Sequence, residues 1–224
     1  CGAFLGIARG GQDDLGEHQL AGGVVRHALG AHPRRHRIRS NPNFWLLAQT
    51  QGGTLVQITQ PEPPNLAPFV STSGPIAQVT SKVFDGLLEY DFNLQPQPSL
   101  AESWEVSADG LTITFNLRDD VTFSDGRPMT AEDVAFTFQL FMEQGIAEYR
   151  TVVEGFVEQV EVLDEHRIRF TFTEEAPRRD VIGFAGGTTV FSKSWFEETG
   201  ARIDESTDTP FLGTGAYVLD SYET

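Results

Sequence analysis

Residues 99–134 read SLAESWEVSADGLTITFNLRDDVTFSDGRPMTAEDV. Trp104-Glu105-Val106 reads as a short strand. Ala108-Asp109-Gly110 turns the chain, with glycine supplying the positive φ. Ile113, Phe115 and Leu117 then alternate with Thr112, Thr114 and Asn116, the period-2 pattern of a strand with one face on a core. Ser124-Asp125-Gly126 is a second turn. Thr130 is a suitable helix N-cap, and Asp133 three residues later makes an approximate capping box, where Glu or Gln is usual. Val134, Phe138 and Phe141 or Met142 mark the buried stripe of the helix so started. Trp104, Phe115, Leu117 and Phe123 are core candidates. Strand, turn, strand, turn and helix thus follow one another within 36 residues.

Working towards the N-terminus, Ile76 to Tyr90 reads as a helix, because Val79, Val83 with Phe84, Leu87 and Leu88 recur at helical spacing. The stretch FNLQPQP after it reads as a loop. Thr54 to Thr59 (TLVQIT) reads as a strand rich in β-branched residues, and the prolines of PEPPNLAP end it. Working towards the C-terminus, Val157, Val160 and Val162 lie on one side of Asp164-Glu165-His166, and Ile168, Phe170 and Phe172 alternate on the other. That pattern is a hairpin. Ser192 caps a short helix through Trp195 and Phe196. Strands and helices mix without a repeating βαβ rhythm, so the fold class is α/β in the loose sense, with a mixed sheet. There is no internal repeat.

The chain has 224 residues, 39% hydrophobic and 21% charged, with a formal net charge of −16. This length buries a core as one large domain or two small ones. So acidic a surface repels phosphate backbones and argues against a nucleic-acid partner. The one cysteine, Cys1, excludes an intrachain disulfide. No run of about 18 apolar residues is present, so nothing in the sequence reads as a membrane-spanning helix. The charge is unevenly spread. Residues 1–50 carry six of the 16 Lys and Arg, three of the 32 Asp and Glu and four of the five His, a net of +3 against −19 for the remainder. Residues 1–50 are therefore expected to be a disordered leader or non-native extension, and residues 51–224 the folded unit. His32 and His36, four apart among arginines, lack the third ligand and scaffold that a metal site needs.

Signatures of catalysis are absent from the sequence. After residue 50 the single histidine is His166, at a hairpin turn. There is no Gly-x-Ser-x-Gly elbow, no His-Glu-x-x-His and no phosphate-cradling loop ending in Lys. Gly186-Gly187-Thr188-Thr189 lacks the flanks of a nucleotide-binding loop. Carboxylates are plentiful, and an acid–base pair among them stays open as an alternative. Glu132, Glu158 and Glu161 are read as surface charge, and Arg118 as the partner of a neighbouring carboxylate.

Several motifs together resemble family 5 of the extracellular solute-binding proteins of ABC importers, the oligopeptide-, dipeptide- and nickel-binding type. They are Ala101-Glu102-Ser103-Trp104, Asp109-Gly110-Leu111-Thr112, Phe115-Asn116-Leu117-Arg118-Asp119-Asp120-Val121 and Phe123-Ser124-Asp125-Gly126. Val83-Phe84-Asp85-Gly86-Leu87, Thr130-Ala131-Glu132-Asp133-Val134 and Gly213-Thr214-Gly215-Ala216-Tyr217 support them. The last departs from the family's usual Gly-Thr-Gly-Pro-Tyr. The likeness runs from about Gly52 to Glu223.

The resemblance implies a periplasmic-binding-protein-like fold of type II, of which this chain is the incomplete first lobe, cut before the second lobe. It implies capture of a peptide or similar small solute outside the membrane and delivery to the transmembrane subunits of an ABC permease. It further implies a monomer with no enzymatic activity, no cofactor and no metal. In relatives the first-lobe wall of the cleft comes from the loop before the first helix and from loops opposite. Those map here onto Ser71, Thr72, Ser73, Gly74 and Ile76, onto Tyr149, and onto Thr188. Hydroxyls and backbone amides of this kind suit a neutral or zwitterionic solute. The expected location is periplasmic or extracellular. Cys1 is either an arbitrary fragment start or the lipidated cysteine of an anchored lipoprotein. The rival readings are a small carboxylate-dependent hydrolase and an inactive truncated product.

Overall fold

The structure is a computed structural model. It describes residues 74–203 and 212–218, together with the backbones of three earlier strands. Those strands are β1 (Ala3–Arg9), β2 (Val24–His27) and β3 (Gly53–Thr59). They form one sheet in the order β2-β1-β3, with β1 parallel to β2 and antiparallel to β3. This is the sheet that mixes strand directions. β3 coincides with the strand expected at Thr54 to Thr59. β1 and β2 fall within residues 1–50, the rest of which lies outside the described residues.

The main sheet is built from β6 (Ala101–Val106), β7 (Thr112–Leu117), β8 (Val157–Asp164) and β9 (Arg167–Phe172). Its order is β6-β7-β9-β8, and every pairing is antiparallel. The alternation expected for β7 is observed: Ile113, Phe115 and Leu117 are buried, and the residues between them are half-buried. On β9 the buried set is Ile168, Phe170 and Phe172, as the hairpin pattern implies. Register places Phe115 opposite Trp104 on one side and opposite Ile168 on the other. Trp104, expected in the core, is half-buried and packs against it from the edge strand.

Across this face lies α2 (Ala131–Gln144). Phe138 meets Phe170 edge-on at 4.9 Å between ring centroids, and Phe115 meets Phe170 at 5.8 Å. Edge-to-face pairs of this kind add to the burial energy of the rings. Phe141, not Met142, completes the buried stripe, since Met142 is exposed. Helix against sheet gives a two-layer core. α3 (Ala147–Phe156) packs on α2 and β8, and α5 (Lys193–Thr199) packs on α2.

Two expectations change between residues 76 and 98. The helix α1 (Gly74–Val83) ends seven residues short of Tyr90, and Leu88–Tyr90 forms β4. The stretch expected as a loop contains β5 (Pro96–Pro98), paired antiparallel with β4. Tertiary hydrogen bonds explain both. The backbone carbonyls of Gly86 and Leu87 accept from the N–H groups of Leu100 and Ala101, at 3.3 and 2.9 Å, so the helix cannot use them. Leu87 and Leu88 are still buried, so the apolar spacing was real but served a different backbone. Prolines are tolerated in β5 because it borders only one strand. At the tip of this hairpin Phe92 and Leu94 are exposed, and Leu94 adopts a φ of 58°.

The start of α2 joins distant parts of the chain. The Asp133 carboxylate accepts from the backbone N–H of Thr130 (2.8 Å) and from the Thr130 hydroxyl (3.1 Å) through Oδ2. Its Oδ1 accepts from the backbone N–H of Lys193 at 2.8 Å. One turn on, the Thr137 hydroxyl accepts from the backbone N–H of Phe191 (2.9 Å) and donates to the Asp133 carbonyl. The capping box expected from Thr130 and Asp133 therefore also anchors the start of α5. Ser192 Oγ accepts from Trp195 N–H and caps α5 as expected, and Gly200 closes that helix at a φ of 65°.

Burial is the leading cause that pushes the Asp133 carboxyl above the ordinary aspartate range, and the hydrogen bonds from Thr130 and Lys193 oppose it. An acid whose folded pKa is raised binds its proton more tightly folded than unfolded. Its contribution therefore favours folding below the unfolded pKa of about 3.9 and is lost as pH rises through the raised folded value. Asp133→Asn removes this titration. The stability difference, wild type minus variant, should fall as pH climbs through that window and then stay level. Denaturant unfolding at a series of pH values measures it, and a difference that rises with pH contradicts the assignment. Phe170→Ala should cost about 3–5 kcal/mol, the usual range for emptying a large aromatic site. A loss below about 1 kcal/mol in the same assay would mean that the Phe115–Phe138–Phe170 cluster does not hold the two layers together.

Candidate functional site: the first turn of the first helix and the segment beside it

Helix α1 begins at Gly74-Pro75, where proline suits a first helical turn because its missing N–H would have no partner there. Gly74 is exposed, with nothing within 4 Å of the place a Cβ would occupy. Ile76 is 2% exposed, and its carbonyl accepts from the Thr80 hydroxyl at 3.0 Å. At this end α1 exposes Gly74, Ala77 and Gln78, and the Ile76 side chain is buried. Ser71, Thr72 and Ser73 lie outside the described residues.

Thr188 follows α4 (Val181–Gly187) as its C-cap. It is buried, and its hydroxyl donates to the Phe184 carbonyl at 2.5 Å. The next residues run beside the end of α1. Thr189 bridges Gly86, and Val190 N–H donates to the Asp85 carbonyl at 3.3 Å. The approach is close: a Cβ on Gly86 would stand 2.9 Å from the Gly186 carbonyl oxygen, and Phe84 and Phe191 meet edge-on at 5.1 Å. The structure thus brings the Thr188 segment and the exit of α1 together. Tyr149 is half-buried on α3, whose packing partners are α2 and β8, so it rests on different elements.

The exit of α1 is capped from far along the chain. Gly215 N–H donates to the Val83 carbonyl (2.8 Å) and Tyr217 N–H to the Lys82 carbonyl (3.1 Å). These are carbonyls of the last turn that a helix leaves without internal partners. Ser124 N–H in turn donates to the Gly213 carbonyl at 3.0 Å, which ties the segment to the Asp125-Gly126 turn. The sequence marked Gly213 to Tyr217 only through resemblance. Glycines spaced by one residue were the signal for this close approach.

Several charged groups elsewhere on the described surface are paired with one another. Arg118 holds Asp120 through two bonds, at 2.8 and 2.6 Å, as its reading implied. Glu132 pairs with Lys193 at 2.9 Å and Glu161 with Arg169 at 3.3 Å, and Glu158 is exposed, in agreement with surface charge. Arg127 links Asp125 to Glu198 and to Ser194, clamping the second turn onto α5. The Asp109 carboxyl is held below its ordinary range, first by the Ser107 hydroxyl and then by the Leu111 N–H, which is a turn-forming role. Among the described residues no group of three His, Cys, Asp or Glu side chains could hold a metal ion. No helix among them is long and apolar enough to cross a membrane.

Residues 95–224 match the model of the bacterial extracellular solute-binding proteins, family 5 Middle. The chain is 30% identical over 196 residues to the Di/tripeptide-binding protein 2 of Pseudomonas aeruginosa (strain UCBPP-PA14), covering 78% of this chain and 36% of that protein. It is 28% identical over 193 residues to the periplasmic oligopeptide-binding protein OppA of Escherichia coli (strain K12), covering 79% and 35%. In fold it is similar to OppA of Haemophilus influenzae, solved in complex with the peptide RPPGFSPFR. That likeness has a TM-score of 0.62 at 24% identity, over 72% of this chain and 34% of the other. The chain spans about a third of the length of the relatives it matches. With its α/β fold around an antiparallel main sheet and a family match over more than half its length, the chain belongs to family 5 of the bacterial extracellular solute-binding proteins.

Proposed function

We propose that this chain forms the first lobe of the solute-binding component of an ABC importer, which captures di-, tri- or oligopeptides outside the membrane and passes them to the transmembrane permease subunits. The observation that carries this reading is the family match over residues 95–224. The names of two relatives, one di/tripeptide-binding and one oligopeptide-binding, support peptide as the solute class. The solute contacts are assigned to the loop Ser71-Thr72-Ser73, to Gly74 and to the backbone of the first turn of α1 at Ile76, whose side chain is buried. Tyr149, and Thr188 through its backbone, are assigned further first-lobe contacts on this reading. The surrounding framework suits a binding module. Glu132 and Glu161 are held in surface ion pairs and Glu158 is exposed, as carboxylates read as surface charge should be. Residues 51–224 are the folded unit in this reading, residues 1–50 a leader or extension, and the protein a monomer that catalyses nothing.

A peptide held against this wall leaves half of its surface for other walls to cover, because small-molecule sites bury most of their ligand. The test therefore uses the protein expressed from its complete reading frame. A panel of dipeptides, tripeptides, longer peptides, a nickel–histidine chelate and sugars is screened by thermal unfolding, and hits are followed by calorimetry. A peptide present at 100 times its Kd should stabilise the protein by about 2.7 kcal/mol, and mass spectrometry should recover it intact. No shift with any member of the panel would sink the transport reading, and cleaved peptide would replace it with the hydrolase.

A further inference from the structure

Among the described residues, the large apolar side chains that are exposed are Tyr90, Phe92, Leu94, Val106 and Met142. Three of these five fall within five consecutive residues of the β4–β5 hairpin, and the two at its tip are the most exposed, Phe92 at 108% and Leu94 at 78%. Single exposed apolar residues are ordinary on a protein surface, whereas a cluster marks a surface that another molecule covers. The chain gains nothing for its own stability by holding these side chains in water.

The tip is nevertheless held in one shape. Asp91 Oδ1 accepts from the backbone N–H groups of Asn93 and Gln95, at 2.8 and 2.9 Å. Asp91 N–H donates to the Gln95 carbonyl at 3.1 Å, and Leu94 N–H donates to the Asp91 carbonyl at 2.9 Å. The base of the hairpin is fixed as well, since Leu88 is buried and β4 packs on α4. Leu94 is the one non-glycine with a positive φ among the described residues. That region suits Gly or Asn, and a bulky side chain there is strained. Asn93 stands one place earlier, so the loop puts the apolar residue, and not the amide, at the strained position. Strain of this kind is characteristic of contact sites. A rigid apolar knob also loses little freedom when a partner buries it.

Charge selects the partner. Glu89 is exposed and Asp91 half-buried, on either side of Tyr90. From Val83 to Leu117 the chain carries six Asp or Glu and no Lys or Arg. An anionic lipid surface repels such a hairpin, and so does a second copy of it. A protein surface with an apolar pocket and a rim of Lys or Arg complements it. We propose that the β4–β5 hairpin is a docking knob, whose Phe92 and Leu94 enter an apolar pocket with a basic rim on the outer face of the importer's transmembrane subunits. The identity of the partner rests on the importer reading of the preceding section, and the knob itself does not touch solute.

The experiment uses the protein from its complete reading frame. The transmembrane subunits of its importer are held in nanodiscs of phosphatidylcholine with phosphatidylglycerol, and lipid-only nanodiscs of the same composition run alongside. Surface plasmon resonance reads docking, and calorimetry reads peptide binding. Phe92→Ser combined with Leu94→Asn removes the apolar tip and places at 94 a residue suited to its φ. The double variant should dock about tenfold more weakly or worse, with the peptide Kd and the Tm unchanged. Glu89→Lys should weaken docking by about two- to fivefold. Val106→Ser, exposed on β6, should dock as the wild type does. Unchanged docking of the double variant, or tighter docking of Glu89→Lys, overturns the knob. Three other results overturn it by naming a different occupant. Equal binding to lipid-only nanodiscs makes it a membrane, a dimer lost in the double variant makes it a second copy, and a lowered Tm makes it the rest of the complete protein. A wild type that binds peptide but not the subunits overturns the knob and leaves the solute reading standing, whereas one that binds neither overturns both.

Discussion

The Asp133 carboxylate is the constraint on which much of this fold depends. It sits in the first turn of α2, 6% exposed, and its two oxygens serve two different parts of the chain. One closes the start of its own helix at Thr130, and the other receives the backbone of Lys193, sixty residues on. A carboxylate removed from water costs free energy unless its lone pairs find donors. Here the donors are backbone N–H groups that would themselves be costly to bury unpaired. Each group relieves the other, and the start of α5 is set by the start of α2. Thr137 repeats the arrangement one turn later with Phe191.

From that joint the rest follows in layers. The sheet face of Phe115, Ile168 and Phe170 gives α2 its seat, and the apolar stripe through Val134, Phe138 and Phe141 fills it. With α2 fixed, the backbone at 191–193 is fixed, and so is the path of Thr188 to Val190 beside Asp85 and Gly86. Lys193 also pairs with Glu132, but that ion pair is exposed and adds little beside the backbone bonds. The order matters for the functional reading. Thr188, one of the residues assigned to solute, lies at the end of α4, and the path of the chain just after it is set by buried polar joints and not by the aromatic core alone.

Much of the scaffold was legible in the sequence. The alternation in β7, the β8–β9 hairpin, the Asp-Gly turns and the cap on α2 are local signals, each written within a few residues. What escaped was decided by contacts between distant residues. Leu87 and Leu88 keep helical spacing with Val83 and are buried as that spacing implies. Yet the carbonyls at Gly86 and Leu87 belong to strand bonds with Leu100 and Ala101, so the helix stops at Val83. Pro96 and Pro98 read as a break and form a strand because only one side needs hydrogen bonds. The helices α3 and α4 were not read at all, and α3 buries just Val153 fully, which leaves its periodic signal weak. The candidate site carries weaker local signals than the scaffold. Ser71, Thr72, Ser73 and Thr188 are ordinary loop residues by composition, and Thr188 spends its hydroxyl on its own helix.

The two glycines at 213 and 215 bring these threads together. α1 buries Val79 and Val83 in the core, and hydrogen bonds to its terminal carbonyls fix its end. Those bonds need a backbone that can come within touching distance. Glycine is the one residue that permits it, and here it does so by the absence of bulk, not by conformational freedom. A helix end that must hold one position is fixed from outside the helix. In this chain the end of α1 is fixed by residues so far along the sequence that no local pattern around α1 announces them.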